Sequence, residues 1–235
     1  PTFAVGVTSS TGDLNDITGE EAIDGLTGQA YPGNVNTTLT NNTNANIDVT
    51  FSFTPELAGC VDGPTVDVVV TLEPTPSLTP TLTTAAIICD GDNVDIDVAS
   101  TSTANGALTY AVNVTSSTGD LNDITGEETI DGLIGQAYPG NVNTNLTNNT
   151  SNAIDVTFSF VPELAGCTDG TPVDVVVTVE PTPSLTPTLN TAAVICDGGS
   201  VDIDIASTSV SSNVADLTYA IGVTSSTGDL NDITG

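Results

Sequence analysis

Apolar and polar residues alternate along much of this chain. In the clearest stretch Leu108, Tyr110, Val112 and Val114 are separated by threonine, alanine and asparagine. The other alternating stretches are 94–98, 155–160 and 173–180. Because neighbouring side chains of a strand point to opposite faces, this pattern buries one face and leaves acids and hydroxyls in water. No stretch has a convincing helical period, and 127–135 predicts only one short helical turn before its glycines interrupt it. The pattern predicts an all-β protein.

Turn signals separate these strands at intervals of roughly ten residues. Asp169-Gly170 lies between two alternating stretches, as Asp62-Gly63 does, and each pair predicts a hairpin. Many short strands with turns between them are typical of a β-sandwich. The aromatic residues lie at strand positions, where we expect them to pack in the core.

A long segment of the chain is repeated without change. The segment TSSTGDLNDITGEE occupies Thr8–Glu21 and returns 107 residues later at Thr115–Glu128. It begins a third time at Thr224. Repetition at a fixed period indicates a tandem array, in which each unit mainly contacts its neighbours.

Proline-rich segments mark the boundaries of the repeats. Glu73-Pro-Thr-Pro76 and Glu180-Pro-Thr-Pro183 each follow a valine-rich stretch. Proline favours an extended and fairly stiff backbone, so these linkers should limit bending between domains. We expect residues 1–76 to be the C-terminal part of one sandwich repeat, 77–183 a complete repeat, and 184–235 the N-terminal part of the next.

The amino-acid alphabet excludes several classes of function. Thirty Asp and Glu residues meet no Lys, Arg or His, which gives a formal net charge of −30. Without these side chains the chain cannot build a Ser–His or Cys–His nucleophile, a His-ligated metal site or a lysine Schiff base. A glycosidase carboxylate pair is chemically possible, but no cleft signal accompanies it. We therefore expect no enzyme activity. Nucleic acid and anionic lipid are poor partners, and no apolar run is long enough to span a membrane.

The repeated acidic loop is the best candidate for a binding site. It gathers oxygen ligands of the kind that Ca²⁺ prefers, although the spacing is not that of an EF-hand. The candidate ligands are Asp13, Asn15, Asp16, Glu20 and Glu21 in the first copy, Asp120, Asn122, Asp123, Glu127 and Glu128 in the second, and Asp229, Asn231 and Asp232 in the third. The alternative is a solvated loop whose acids cap turns.

Each repeat has two cysteines, which suggests disulfide bonds in an oxidising compartment. The domain boundaries place Cys89 and Cys167 in one repeat, and this is the bond we expect. Cys60 and Cys196 would then pair outside this segment. The alternatives are the pairs Cys60–Cys89 and Cys167–Cys196, which would join neighbouring domains, and free thiols.

Several motifs resemble a known family. They are Leu146-Thr-Asn-Asn-Thr150, Asp155-Val-Thr-Phe-Ser-Phe-Val-Pro162, Gly166-Cys167, Val173-Asp-Val-Val-Val-Thr-Val-Glu-Pro-Thr-Pro183 and Ile195-Cys-Asp-Gly198. In this order they are similar to the PKD-like and immunoglobulin-like repeats of giant bacterial surface proteins. Such repeats are abundant in Bacteroidetes, including adhesins of gliding motility exported by the type IX secretion system. The resemblance implies a sandwich of about seven strands, an extracellular location at the cell surface, and no catalytic residues.

Two functions from different classes follow. The first is a structural segment of a surface filament or adhesin stalk, whose partners are neighbouring repeats and, through lateral association, other copies. The second is a ligand-binding module, dependent on calcium or specific for glycans, whose repeated loop gains by multivalency. Sequons for N-glycosylation occur at Asn36, Asn41, Asn113, Asn145, Asn148 and Asn149. They matter only if the host modifies this motif.

Overall fold

A computed structural model of the chain describes residues 1–212, 217–226, 228 and 230. These residues form an all-β structure without α-helices, in which three 3-10 turns occur at Leu14–Asp16, Glu20–Ala22 and Leu121–Asp123. We call residues 1–76 unit A, residues 77–183 unit B and residues 184–235 unit C. Within the described part of the chain, every strand ladder lies inside one of these units.

Unit A contains β1 (Thr2–Ser9), β2 (Ile17–Thr18), β3 (Gln29–Ala30), β4 (Thr40–Asn41), β5 (Ile47–Glu56) and β6 (Val66–Leu72). Unit B contains β7 (Thr79–Leu82), β8 (Ile87–Ile88), β9 (Asn93–Ala99), β10 (Leu108–Ser116), β11 (Ile124–Thr125), β12 (Leu133–Ala137), β13 (Gly140–Asn145), β14 (Thr147–Asn148), β15 (Ile154–Leu164) and β16 (Val173–Val179). The described part of unit C contributes β17 (Thr186–Leu189) and β18 (Ile203–Ala206).

The alternating stretches of the sequence are strands, so the all-β prediction is confirmed. Along β15 every second residue, from Ile154 to Leu164, is buried, and the intervening residues are exposed or half-buried. The predicted hairpin at Asp169-Gly170 joins β15 to β16, which pair antiparallel. At its neck Gly170 N donates to Pro162 O over 2.9 Å.

Unit B has two larger sheets around one core, beside a two-stranded sheet of β11 and β14, and is therefore sandwich-like. One sheet has five strands in the order β12-β10-β15-β16-β8, and the other has three in the order β13-β9-β7. Side chains from both sheets form a single apolar cluster, in which Phe158, Phe160, Ile96 and Val177 are fully buried. Since each sheet covers the apolar face of the other, the alternating pattern is satisfied on both sides.

Unit A repeats the two-stranded sheet, as β2 and β4, and only one of the two larger sheets. Its four strands, in the order β3-β1-β5-β6, keep the register of unit B: Phe3 lies opposite Pro55 as Tyr110 lies opposite Pro162. Residues 33–38 match β13 in sequence but form no strand. In unit B that strand pairs with β9, and unit A has no equivalent of β9. One apolar face of unit A is consequently open.

Candidate functional site

The repeated acidic loop begins where β10 ends. Asp120 caps the 3-10 turn Leu121–Asp123, because its Oδ1 accepts hydrogen bonds from Asn122 N at 2.9 Å and from Asn122 Nδ2 at 2.6 Å. These two bonds, the backbone bond foremost, hold the pKa of the Asp120 carboxyl below its usual value. The charged carboxylate of Asp120 therefore stabilises the 3-10 turn that it caps.

The second half of the loop turns at a glycine. Gly126 has a φ of +103°, and a Cβ atom on it would collide with the Asn145 carbonyl. A residue with a side chain is therefore excluded at this position. Glu128 Oε2 accepts from Gly126 N at 2.7 Å, and Thr144 Oγ1 donates to Gly126 O at 2.5 Å. The Thr144 bond holds the loop against β13, and the Glu128 bond closes the turn within the loop.

Glu127 differs from its acidic neighbours because it is buried. Its side chain is only 3% exposed, and Oε2 is enclosed without a hydrogen-bond partner. Burial raises the pKa of this carboxyl, and the nearby charges of Glu128 and Asp131 act in the same direction. Asp131 binds the backbone of β10, since its Oδ1 accepts a hydrogen bond from Val114 N at 2.7 Å.

Unit A builds the same loop from its own copy of the sequence. Asp13 Oδ1 accepts from Asn15 N at 2.9 Å and from Asn15 Nδ2 at 2.7 Å. Glu21 accepts a hydrogen bond from Gly19 N at 2.8 Å. Glu20 is buried as Glu127 is, and its Oε2 likewise has no hydrogen-bond partner. The third copy, with Asp229, Asn231 and Asp232, lies outside the described residues. The two loops share these bonds, although unit A forms a 3-10 turn at Glu20–Ala22 where unit B has a plain turn, so most of the loop conformation is encoded locally.

The geometry of the loop does not gather its acids around one point. In the part of the chain that the structure describes, no three Asp, Glu, His or Cys side chains are arranged to hold a metal ion. Asp16 and Asp123 contribute backbone oxygens that accept from Asn42 N and Asn149 N at 2.8 and 2.9 Å. Asp120 and Glu128 accept hydrogen bonds from backbone amides of the loop itself. A calcium site in this loop stays a prediction.

The structure does not bring the predicted cysteine pair together. Cys89 follows Ile88, which pairs with Val179 of β16. Val179 in turn pairs with Ile154, so Cys89 lies near the start of β15. Cys167 N donates to Leu164 O at the other end of the same strand. Eleven residues of β15 put about 33 Å between these ends. A disulfide needs Cα atoms within about 7 Å.

The alternative pair Cys60–Cys89 is separated even more, because Cys60 lies at the end of unit A that faces away from unit B. Cys60 N donates to Leu57 O just beyond the end of β5, whereas the opposite end of β5 adjoins unit B through Asn46. All four cysteines are free and exposed.

In each unit a buried asparagine makes hydrogen bonds to the backbone of neighbouring segments, a structural role that the sequence analysis did not predict. Asn148 Nδ2 donates to Asn152 O at 2.7 Å and to Val179 O at 2.9 Å, while Oδ1 accepts from Thr150 N at 2.9 Å. Asn41 makes the equivalent bonds in unit A. The signal was the exact repetition of LTNNT at 39–43 and 146–150. Burial of both amides also closes these two sequons to glycosylation in the folded chain.

The junctions between units use the same contacts twice. Between units A and B, Asn46 N donates to Thr103 O at 2.9 Å and Thr103 N donates to Asn44 O at 2.7 Å. Between units B and C, the bonds are Ala153 N to Val210 O at 2.8 Å and Val210 N to Ser151 O at 2.6 Å. Each pair forms a short parallel bridge.

A glutamate completes each junction. Both carboxylate oxygens of Glu73 accept from Asn105 N, at 3.2 and 3.1 Å, and Glu180 holds Ser212 N in the same way at 3.1 Å. Partial burial works to raise the pKa of Glu180, but hydrogen bonds from Ser212 and Ser211 outweigh it and lower the pKa from its usual value. Folding therefore favours the charged form of Glu180, and the contact is lost as the pH falls.

Among the described residues no helix has the length and apolar character needed to cross a bilayer. Comparison of the chain with protein-family models found no match, and comparison with curated proteins found none either.

Proposed function

We propose that this chain is a segment of a tandem array of immunoglobulin-like or PKD-like β-sandwich repeats, and that the array acts as the stalk or filament of an extracellular surface adhesin. The repeat supports a role that depends on number and length, since identical units in line extend a surface or span a distance. The absence of basic and histidine side chains fits a non-enzymatic role.

The observation that carries this proposal is the repetition of the junction. Asn44, Asn46, Thr103 and Glu73 in the first junction are matched by Ser151, Ala153, Val210 and Glu180 in the second. Three of the four residue types change, yet every bond is kept. Bonds on both sides of a proline linker restrict bending, so each added unit extends the array in a repeated direction.

Small-angle scattering of the full chain, at concentrations where it is monomeric, tests this proposal. We expect a rod with units of roughly 35–45 Å laid end to end, the length of a strand of about ten residues with its loops. Glu73→Ala should broaden the distance distribution because it frees Asn105 N at the junction. Asp62→Ala is the matched control, since it removes one exposed charge at the far end of unit A. A compact particle, or equal profiles for both variants, would contradict a stiff stalk.

A second candidate function is display of the acidic loop as a binding module. One observation favours it: Glu127, Asp120, Glu128 and Asp131 line a surface cavity into which the loop of unit B opens. The test compares melting temperatures in calcium, magnesium and sodium at matched ionic strength. A saturable calcium effect that disappears in Asp120→Asn/Asp123→Asn would support a cation-dependent module. Equal curves for the three salts would leave the loop as a structural element.

A further inference from the structure

The loop that leads into β10 contains a chemically reactive pair of residues. Asn105-Gly106 is the only place in the sequence where glycine follows asparagine. Both residues are exposed and form a bend just before β10 begins at Leu108. The backbone nitrogen of the residue after an asparagine can attack the carbonyl carbon of the asparagine side chain, and glycine leaves this approach open because it has no Cβ atom. The pair is therefore a candidate site of covalent change.

The structure leaves the two reacting groups free. The loop is fixed at Thr103, which bonds unit A, and at Leu108, where β10 begins. Between these points Asn105 N donates to both carboxylate oxygens of Glu73, at 3.2 and 3.1 Å. Within the described part of the chain, neither the side-chain amide of Asn105 nor the N–H of Gly106 has a hydrogen-bond partner. Neither group has to give up a hydrogen bond there before the two meet.

Asn148 shows the opposite situation in the same unit. Its side chain is buried, and its Nδ2 donates to Asn152 O at 2.7 Å and to Val179 O at 2.9 Å. The side chain cannot turn toward the next peptide without losing these bonds, and the next residue, Asn149, carries a Cβ atom that crowds the approach. We therefore expect Asn105 to react and Asn148 to persist, which makes Asn148 an internal reference.

We propose that Asn105 deamidates spontaneously in the folded chain and that this reaction loosens the junction between units A and B. Gly106 N loses its proton to hydroxide and forms a bond to Asn105 Cγ. The Cγ–Nδ2 bond of Asn105 breaks, and the nitrogen leaves as ammonia. A molecule of water then adds to either carbonyl of the resulting cyclic succinimide and opens the ring. The product is aspartate or isoaspartate, and in each a carboxylate replaces the amide.

Both products oppose Glu73. The new carboxylate belongs to the residue whose N–H donates to the half-buried Glu73, and the chain has no Lys, Arg or His to compensate the added charge. Like charges this close repel, and partial burial limits their screening by salt. In isoaspartate the backbone also becomes longer by one C–C bond, about 1.5 Å. A short loop fixed at Thr103 and Leu108 has to move to accommodate it.

The junction between units B and C lacks this reactive site. Ser212 holds the position of Asn105, and both its N and its Oγ donate to the carboxylate of Glu180. A serine side chain has no carbonyl carbon, so it cannot form a succinimide. The two junctions share their backbone bonds but differ in chemical stability, and deamidation would act at the first of them alone.

Peptide mass spectrometry of the full chain, incubated in its folded state at several pH values, tests the reaction. Cleavage before aspartate releases residues 97–119, and we expect this peptide to gain the mass difference between OH and NH2, faster as the pH rises. Isoaspartate leaves the peptide uncut, whereas aspartate adds a cut before residue 105. Gly106→Ala should prevent most of the change, and its Cβ would lie 3.0 Å from the flexible end of Leu164. If Asn105 stays intact in the folded chain, or reacts no faster than Asn148, the proposal is overturned.

Small-angle scattering of fresh and aged samples tests the effect on the junction, which rests on the proposed stiff stalk. We expect the distance distribution of the full chain to broaden in step with the mass change. Asn105→Asp fixes one product and should broaden it at once, whereas Asn105→Ser copies Ser212 and should give equal fresh and aged profiles. Unchanged scattering after complete deamidation would overturn the loosening. It would leave the stalk proposal standing, because Glu73→Ala tests that proposal separately.

Discussion

Units A and B differ in how well they bury the same residues. Phe158 is fully buried in unit B, and its equivalent Phe51 in unit A is half-buried. The strand pairing around them is the same, since each of the eight pairs between β1 and β5 matches a pair between β10 and β15. The comparison teaches that backbone pairing within a sheet is specified by the nearby sequence. Burial of the apolar face depends on a second sheet that other residues must supply.

The largest effect should come from removing the same ring in the two units. Phe158→Ala deletes a fully buried side chain and leaves a cavity, so we expect unit B to lose about 3–5 kcal/mol of unfolding free energy. Phe51→Ala should cost unit A less than half of this, because that ring already contacts solvent. Hydrogen exchange of the full chain in urea, read by mass spectrometry, measures both, since peptides of β5 and β15 differ in mass. Equal costs would mean that the face of unit A is covered in solution.

In contrast to the two phenylalanines, the buried asparagines should lower the unfolding free energy of the two units equally when they are replaced. Asn148→Ala and Asn41→Ala each remove an amide that bonds three backbone groups, and each should cost about 1–3 kcal/mol. The same exchange experiment compares them. Asn149→Ala is the control, because that exposed side chain makes only a 3.1 Å bond to Asn122 O and should cost little. Unequal costs for Asn148 and Asn41 would show that the missing sheet also loosens the loops of unit A.

The smallest effect concerns the pH dependence of unit B. Burial raises the pKa of Glu127, so the folded state keeps this proton at pH values where the unfolded state has lost it. Glu127 therefore lowers stability as the pH rises from the ordinary carboxyl pKa to the raised one, and the loss is complete above that. Glu127→Gln should stabilise unit B at neutral pH and remove this part of the pH dependence.

Urea titrations at several pH values measure the effect of Glu127. Glu128→Gln serves as the opposite control, since it weakens a charge-assisted bond to Gly126 N and should lower stability. A loss of stability in Glu127→Gln at neutral pH would show that the ionised carboxylate is stabilised by a group or ion that binds it.

The strands were predictable because burial leaves a period of two in the sequence. Val94, Ile96 and Val98 alternate with acids, and these residues form β9 with its apolar side buried. The acidic loop stood out in the sequence as a repeated segment, but its role could not be chosen there, since carboxylates that cap turns and carboxylates that bind an ion look alike in sequence. Only the direction of each side chain distinguishes them. Asn148 was missed as a structural residue for the same reason, because its sequence does not reveal the carbonyl groups within its reach.

The cysteines show where sequence reasoning was weakest. Placing Cys89 and Cys167 in one repeat suggested a bond, but a sandwich repeat is as long as its strands, and the two residues lie at opposite ends of β15. Membership in a domain is read from the sequence, whereas the end of the domain at which a residue lies depends on the direction of every strand between.

By itself, the sequence determined the repeat, the all-β class and the capped turns of the loop. The strand pattern and the capping bonds involve residues that are close along the chain or paired across one hairpin. The tertiary structure alone decided which apolar faces are covered, which acids are buried and which ends of the units meet. These properties depend on contacts between distant segments. The same side chains are therefore core in unit B and surface in unit A.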